Sequence, residues 1–595
     1  MDLQKILPES YLSNPEELDR LLAEPQFLQS IPLLNHVDVN VSKLKDCSLV
    51  RFRGMIQDMM DPELYLEKYE VTHTESGSHF QNGKYRDTLL LKIGEQVNHD
   101  SNGNVHGERR SVFVISVPGI NPWVQEIERT IYKFDVGSTG SSMQIESACK
   151  NENKRSLQDN DEENMETDQE PQQPLSKKME TVSNEQKETN GNANSVLSPE
   201  YLLNSPIPDR PSKACIVKIY QDFDSITLNT LVDVIGFLSV DPALDGTFDE
   251  GDGFIEESER QAANPPPSLI PRLHAIKLKK LDHINPYFDN PLADELKPEE
   301  IFKDIRLALS QCLFEDTVAA DYLIAHLIST VHTRNDVHAL GKLSINISNI
   351  PSQVLPEFTT NLYEIIEMLL PASHYFPMTL DNMNTQQFVP KKDYKTNKLT
   401  SGLLQLAPHT HLVLDETRLQ VGKLEAAGVQ ALKSIADLIN AQRLKYNFQF
   451  YEIEFDTDVP VMILSEGRSM LPNDCHIPLK PSSDLTIMKE TFVAVKHFIA
   501  PKLVAMRKFL TTQRKSEFSV DPEHADMIQN DFVQMRTVND KMGAEDLHSL
   551  LVLSRLMGLA RGQNLMSKEL WECTKSLEAE RKERLSQMIR PRNEL

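Results

Sequence analysis

The sequence predicts an α+β protein in several parts: a β-barrel-like region, then an α/β region, then a helical C-terminal region. Three observations predict it. Short β-like runs bounded by Gly, Pro and Asn fill 47–136 and 206–285. Strands alternate with amphipathic helices over 297–483, and 484–595 is almost all helical in pattern. At 595 residues there is room for about two to four cores.

Residues 1–46 carry apolar side chains at helical spacing, interrupted by prolines, in PEELDRLLAEPQFLQSIPLL. SLVRFRGMIQDM, DTLLLKIG and RSVFVISVPG then read as strands, with THTESGSHFQNG and NHDSNGNVHGE as loops between them. Strand texture returns in KACIVKIYQDF and LNTLVDVIGFLSVDP, followed by an acidic loop and the proline turn NPPPSLIPRLHAIKL. About five to seven such strands suit a small barrel, OB-like in the sense of the oligonucleotide-binding type. The fold does not confer that activity, because single strands need stacked aromatics over a basic groove. Phe52, Tyr65, Tyr69, Phe113 and Trp123 are expected in the core or at its rim instead.

Between the two β parts, 137–205 is expected to be a disordered acidic linker. Its stretch 137–201 holds 13 acidic and 6 basic residues and no aromatic before Tyr201. Such a segment buries too little apolar area to offset the entropy of ordering it. Lys154-Arg155 and Lys177-Lys178 fit an import signal and scattered solvated lysines equally well. Ser198-Pro199 and Ser205-Pro206 offer phosphorylation acceptors at Ser198 and Ser205, with plain turn chemistry the favoured reading.

Net charge is −26, from 62 basic and 88 acidic residues. Gripping a phosphate backbone draws on concentrated Lys and Arg, so direct DNA binding is not expected beyond a local basic groove, and protein partners are the default. Six cysteines without a CxxC pair fit a reducing compartment and argue against a disulfide framework or a zinc site. No window approaches the ~18 apolar residues of a membrane span, and the N-terminus lacks a signal-peptide profile. Cytosol or nucleus is the expected compartment.

In the α/β region PEEIFKDIRLALSQCLF, DTVAADYLIAHLISTVH, QVLPEFTTNLYEIIEMLLP, TNKLTSGLLQLA and GVQALKSIADLINAQ read as helices. LGKLSINISNIP, THLVLDET, FQFYEIEF and VPVMILSEG read as strands. Asp415 and Glu416 end one strand like the acidic half of a nucleotide-hydrolysis site. Such a site also needs GxxxxGK[ST] between a strand and a helix, where glycines let backbone N–H groups wrap the phosphates and lysine neutralises their charge. No GK pair here is followed by Ser or Thr, and Asn349 to Gln353, in the required position, has neither Gly nor Lys. The expectation is a strand ending in two solvated carboxylates, with no catalytic residue, no cofactor and no enzyme activity. A divergent ATPase with its lysine supplied from elsewhere is the alternative. GxSxG, HExxH and EF-hand patterns are absent. His409 and His411 lack a third metal ligand, and adjacent Cys475-His476 has poor geometry for a dyad.

RFRGMIQDMMDPELYLEKYEV, LNTLVDVIGFLSVDP, FVPKKDYKTNKLTSGLLQLAPHTHLVLDET and VPVMILSEGRSMLP closely resemble the mini-chromosome-maintenance complex-binding protein family, and the likeness covers nearly the whole chain outside the linker. The α/β region is also similar, more distantly, to the AAA+-like ATPase region and helical lid of the mini-chromosome-maintenance helicase subunits. By that resemblance Glu466 takes the place of a sensor asparagine and Glu545 that of a sensor arginine in AEDLHSLLVLSRLMGLARG. Asp415, Glu416, Glu466 and Glu545 would then be remnants of a nucleotide site that has lost its phosphate loop and both sensors. A carboxylate aimed at a triphosphate in a desolvated site costs several kcal/mol. The resemblance implies a non-catalytic nuclear partner of helicase subunits, reaching chromatin through them. It would control their assembly and their unloading after DNA replication, and support sister-chromatid cohesion through the cell cycle. A single-strand-binding barrel is a further alternative.

Overall fold

Three short helices open the chain, each starting on a proline whose missing N–H is no loss at a first helical position: α1 (Pro8–Ser13), α2 (Pro15–Leu21) and α3 (Pro25–Ser30). The computed structural model describes residues 6–131, 197–239, 257–288, 297–538 and 542–589, apart from 37–38, 40, 42–43, 74–76 and 336–338. All of them belong to one compact unit, Met1–Phe134 with Val196–Leu595.

Strand β1 (Leu49–His73) is 25 residues long. Register shifts at Ile56/Asp58, Met59/Pro62 and Leu66/Lys68 bend it, so that one strand serves both a barrel and an outlying ribbon. On the ribbon it pairs with β2 (Gly77–Asn82) and β3 (Glu95–Val97). After β4 (Val105–Ile115) come helices α4 (Pro122–Ile131) and α5 (Pro199–Leu203), then β5 (Ala214–Ile219), β6 (Leu231–Ser239), α6 (Glu257–Ala263) and β7 (Arg272–Lys280). The barrel closes in the order β1-β4-β5-β7-β6 and back to β1, with β5 and β7 parallel and the other neighbours antiparallel. Its interior is Val50, Phe52, Ile56, Val112, Val114, Cys215, Val217, Val232, Val234 and Leu273. Burying each such side chain contributes about 1.5–3 kcal/mol. Phe52, Tyr69, Phe113 and Trp123 are buried and Tyr65 half-buried, as core or rim residues should be. Gly54 allows the β1–β4 approach: a Cβ there would lie 2.1 Å from the Ile115 carbonyl oxygen.

Helices α7 (Pro298–Cys312) and α8 (Thr317–Leu327) and the hairpin β8 (Thr333–Arg334) and β9 (Ala339–Leu340) lead into a second sheet. In chain order there follow β10 (Ile345–Ser348), α9 (Leu355–Leu369), β11 (Ser373–Pro377), α10 (Leu380–Thr385), β12 (Lys391–Asp393), β13 (Lys398–Thr400), β14 (His411–Asp415), α11 (Ala426–Ala441), β15 (Arg443–Asn447), β16 (Glu452–Asp456), β17 (Val461–Leu464) and β18 (Cys475–Pro478). Strands β11-β14-β17-β10-β18 form an all-parallel sheet in that order. Buried on both faces, β14 and β17 carry near-continuous apolar runs. Val413, Met462 and Leu464 point into one core, Leu412, Leu414, Val461 and Ile463 into the other. The first core also takes in α12 (Met488–Ile499), α13 (Leu503–Lys515), α14 (Pro522–Val538), α15 (Ala544–Ala560) and α16 (Lys568–Ile589). Strands β13-β12-β15-β16 make a small separate sheet. The result is a mixed α+β architecture with several sheets, and among the described residues no helix is long and apolar enough to cross a membrane.

The barrel part and the α/β part are joined by specific bonds. Trp123 Nε1 and Asn121 Nδ2 each donate to the Leu370 carbonyl at 2.8 Å, and the Tyr446 hydroxyl donates to Asn229 Oδ1 at 2.9 Å.

Four expectations need correction. TNKLTSGLLQLA is not a helix: after β13, Leu403, Leu404, Leu406 and Ala407 are all buried, so no polar face remains for helical spacing to present. DTLLLKIG is not a strand, because the Tyr69 hydroxyl accepts from the Leu90 N–H (2.9 Å) and donates to its carbonyl (3.4 Å), satisfying that backbone without a ladder. The loop THTESGSHFQNG instead supplies β2, templated by the far end of β1. Finally, the expected linker ends too late. Residues 197–205 are folded, with Leu202 and Asn204 buried and Asn204 Nδ2 donating to the Leu399 carbonyl. Residues 137–196, with both basic pairs, lie outside the described residues.

Candidate functional site

Asp415 ends β14 in register with Pro377 of β11 and Leu464 of β17, and it is 0% exposed. The expectation of a solvated carboxylate fails here. Oδ1 accepts from the Thr417 N–H (3.1 Å) and hydroxyl (2.5 Å), and Oδ2 from the Tyr375 hydroxyl and Arg418 Nε (3.2 Å). A carboxylate has about four lone-pair positions, and all four are used, which leaves none for metal-bound water. Burial, and then the hydrogen bond to Asp415, pushes the Tyr375 phenol up to about 12, so it stays a donor. Glu416 leaves the strand in a 3₁₀ turn, half-buried, and its Oε1 accepts from the Met470 N–H at 2.9 Å.

The place for a phosphate loop is the six residues between β10 and α9. Asn349 is left-handed, at φ 59°, and its N–H donates to the Glu466 carbonyl at 3.3 Å. Its side chain donates to the Leu479 carbonyl at 2.8 Å, and the Val354 N–H donates to Pro351 at 3.1 Å. Pro351 and Pro356 have no N–H to give. The first turn of α9 carries Glu357, the wrong charge for a phosphate, paired with Lys489 at 2.9 Å. Lys342 precedes the strand and is held by Asp474 at 2.8 Å.

The other expected residues do not join this constellation. Glu466 is exposed, with Met588 of the last turn of α16 packed 3.7 Å from where a Cβ on Gly467 would lie. Glu545 is exposed in the first turn of α15, and among the described residues no hydrogen bond or ion pair links it to Asp415 or Glu466. Ser198 is exposed and caps α5 by accepting from the Tyr201 N–H at 3.2 Å. Ser205 is half-buried in a turn, bonded to both the carbonyl and the N–H of Ile207. His409 and His411 diverge: His409 faces Asp458 at 3.3 Å, whereas His411 contacts Arg514 at 2.8 Å and His326 at 3.4 Å. Among the described residues no group of three or more His, Cys, Asp or Glu side chains is arranged to hold a metal ion.

Two arrangements escaped the sequence reading. One is a buried ionic cluster on the outer barrel face. Asp87 lies 2.7 Å from Lys218 and 3.2 Å from His274 Nε2, while Tyr220 bonds His274 Nδ1 at 2.6 Å. Its members come from two strands and two loops, so no local pattern announces it. The other is an aromatic group on the small sheet, Tyr394 with Phe448, Phe450 and Tyr451. Its signal was legible, as three aromatics crowded into NFQFY between two strands.

A family model described as mini-chromosome maintenance replisome factor matches residues 18–585. The mini-chromosome maintenance complex-binding protein of Drosophila melanogaster is 48% identical over 583 residues, 96% of this chain and 95% of that protein. Those of Gallus gallus and Homo sapiens are each 36% identical, over 94% of this chain and 91% of theirs. A match of this extent, spanning both the barrel and the parallel sheet, makes the chain a member of the mini-chromosome maintenance replisome factor family.

Proposed function

We propose that this protein is a non-catalytic binding partner of the mini-chromosome-maintenance helicase subunits. It acts in the nucleus, regulates DNA replication by controlling assembly of the complex and its unloading from chromatin, and supports sister-chromatid cohesion. The observation that carries this reading is the near-full-length match to relatives named as complex-binding proteins. The saturated carboxylate of Asp415 supports the non-catalytic part and weighs against a divergent ATPase, since a lysine from elsewhere would still find no free lone pair on Asp415 for magnesium-bound water.

In the same reading the barrel is of the oligonucleotide-binding type and the parallel sheet is AAA+-like, with α12–α16 as its lid. The strand orders support both assignments. Ring subunits associate head to tail, so a lookalike that ignores nucleotide can occupy one face of a neighbour and compete with a ring contact. The α/β region and lid, 297–595, are the assigned docking surface. The barrel does not offer the stacking face of a single-strand binder: Phe113, Ile115, Ala214 and Ile216 on β4 and β5 are buried against Leu202, Ala372 and Ala407.

The test uses the full-length chain, because barrel and sheet share buried bonds. Fluorescent ATP with Mg²⁺ is titrated into it alone and with purified helicase subunits, and subunit capture is scored in parallel. Capture that is indifferent to nucleotide, without ATP binding by the chain, is expected. Saturable ATP binding by the chain alone overturns the non-catalytic reading, and failure to capture any subunit overturns the partner.

A further inference from the structure

In the aromatic group on the small sheet Phe448 packs against the core, and the other three rings stand away from it. Phe450 is 85% exposed, Tyr451 56% and Tyr394 47%. Turn chemistry does not account for them. The β15–β16 turn places Gln449 at φ 63°, a position where Gly or Asn is cheaper, and sets Phe448 and Phe450 on either side of it. The rings are nevertheless held in place. Tyr394, from the turn between β12 and β13, donates its hydroxyl to the Phe448 carbonyl at 2.8 Å and sits 6.0 Å from Phe450, while Phe448 stacks on Tyr451 at 5.0 Å and 9°. Phe448 gains packing from this turn and Phe450 does not, and a ring left in solvent beside a broken local rule points to a ligand.

The surrounding charge says which ligand. Residues 391–398 read KKDYKTNK, four lysines to one aspartate, in a chain of net charge −26. That aspartate, Asp393, accepts from the Tyr201 hydroxyl at 2.8 Å and the Lys395 N–H at 3.0 Å. Lys392 and Lys398 donate to backbone carbonyls. Lys391 and Lys395 are both exposed, and neither is in an ion pair with a described residue. Lys391 is paired in register with Asn447, next to the aromatic turn. On β16 Glu454 and Asp456 are matched by Lys445 and Arg443, so Glu452 is the remaining acid there. Exposed rings suit a protein interface as well as a single strand, but lysine is depleted at the former, whereas a single strand sets bases on the rings and phosphates on the ammonium groups.

We propose that the paired turns of β12–β13 and β15–β16 bind single-stranded nucleic acid, with Tyr394, Phe450 and Tyr451 stacking bases and Lys391 and Lys395 contacting phosphates. The site is local, so the bulk acidity of the chain makes binding weak and strongly dependent on salt. Its residues lie inside 297–595, the region assigned to helicase subunits, and oligonucleotide binding is read out separately from subunit capture.

The experiment is fluorescence anisotropy of the full-length protein with labelled oligo(dT) and oligo(U) of about 20 nucleotides, a length spanning one such site. Titrations run at low and at physiological salt. Saturable binding at low salt is expected, and the two oligonucleotides tell DNA from RNA. Phe450→Ala weakens it about tenfold, with unchanged thermal unfolding. Lys391→Glu with Lys395→Glu flattens the salt slope by about 1.4. No binding of either oligonucleotide at low salt, or binding indifferent to Phe450→Ala, overturns the proposal. Loss of helicase subunits on Phe450→Ala without oligonucleotide binding overturns it in favour of a protein-docking tip.

Discussion

Asp415 at the end of β14 and Asp87 over the barrel are both carboxylates shut away from water, and they are held by different means. Two of Asp415's three partners, Thr417 and Arg418, stand two and three residues along the chain, and the third, Tyr375, is on the neighbouring strand. Its bonds shape one turn. Asp87 faces Lys218, His274 and Arg109, which come from three different strands, at 2.7, 3.2 and 3.6 Å. Its bonds fasten the loop after β2 to the barrel. The first arrangement could be broken with local damage, whereas the second, if broken, strands two buried cations.

The largest expected effect follows from that difference. Asp87→Ala leaves Lys218 and Arg109, with side chains 10% and 9% exposed, sharing the single carboxylate of Glu63. Removing one partner of a buried pair destabilises by about 3–5 kcal/mol. Denaturant unfolding checks it, and a loss under 1 kcal/mol would mean that the cluster is already hydrated. Burial alone would raise the Asp87 carboxyl, but His274 and Lys218 together hold it well below the usual carboxylate range. Its contribution is therefore present above the unfolded value of about 4 and is lost only as pH falls further.

A second expectation sets the histidines against these acids. Burial lowers His326 to about 4 and His411 well below its ordinary value, the latter also because Arg514 lies 2.8 Å away. The unfolded chain takes up these protons near pH 6.5, and the folded chain does not. Stability therefore falls as pH drops through 6.5 toward 4, by about 2 kcal/mol at pH 5 for His326 alone. Unfolding free energy measured at pH 8, 6.5 and 5 reads this directly. A flat profile would mean that the buried imidazoles charge in place. Asp87 has no effect in this window, so the two regions fail at different pH.

The sequence told more about the parallel sheet than about the barrel surface, for a physical reason. Leu412 to Leu414 and Val461 to Leu464 are continuous apolar runs because both faces of the sheet are buried, and such runs are legible without knowing their neighbours. The missing phosphate loop was equally legible, as an absence of Gly and Lys between β10 and α9. What could not be read was where side chains from distant strands meet. Lys218 and His274 look like ordinary solvated polar residues in KACIVKIYQDF and RLHAIKL until β5 and β7 pair and set them side by side. The fate of Asp415 lay between these extremes. Thr417 and Arg418 were in plain view, but Tyr375, 40 residues away, decided that no lone pair remained free.

The smallest expected effect tests whether the end of β14 retains any chemistry. Asp415→Asn keeps the shape, loses the negative charge against Arg418, whose side chain is 34% exposed, and replaces one accepting oxygen by an N–H donor that only a turned hydroxyl of Tyr375 or Thr417 can accept. Partial solvation limits the loss, so about 1–2 kcal/mol is expected, close to one charge-assisted hydrogen bond. Glu466→Ala, on an exposed side chain, should stay within about 0.5 kcal/mol. If Asp415, Glu416, Glu466 and Glu545 were a working unit and not remnants of a nucleotide site, the two changes would be coupled, and each would alter the response of the protein to ATP. With Asp415 spent on its own turn and Glu466 facing solvent, the double variant should lose the sum of the single effects. Neither change should alter nucleotide-independent capture of helicase subunits. A coupling energy above about 0.5 kcal/mol would place the two carboxylates in one network and reopen the site as a functional one.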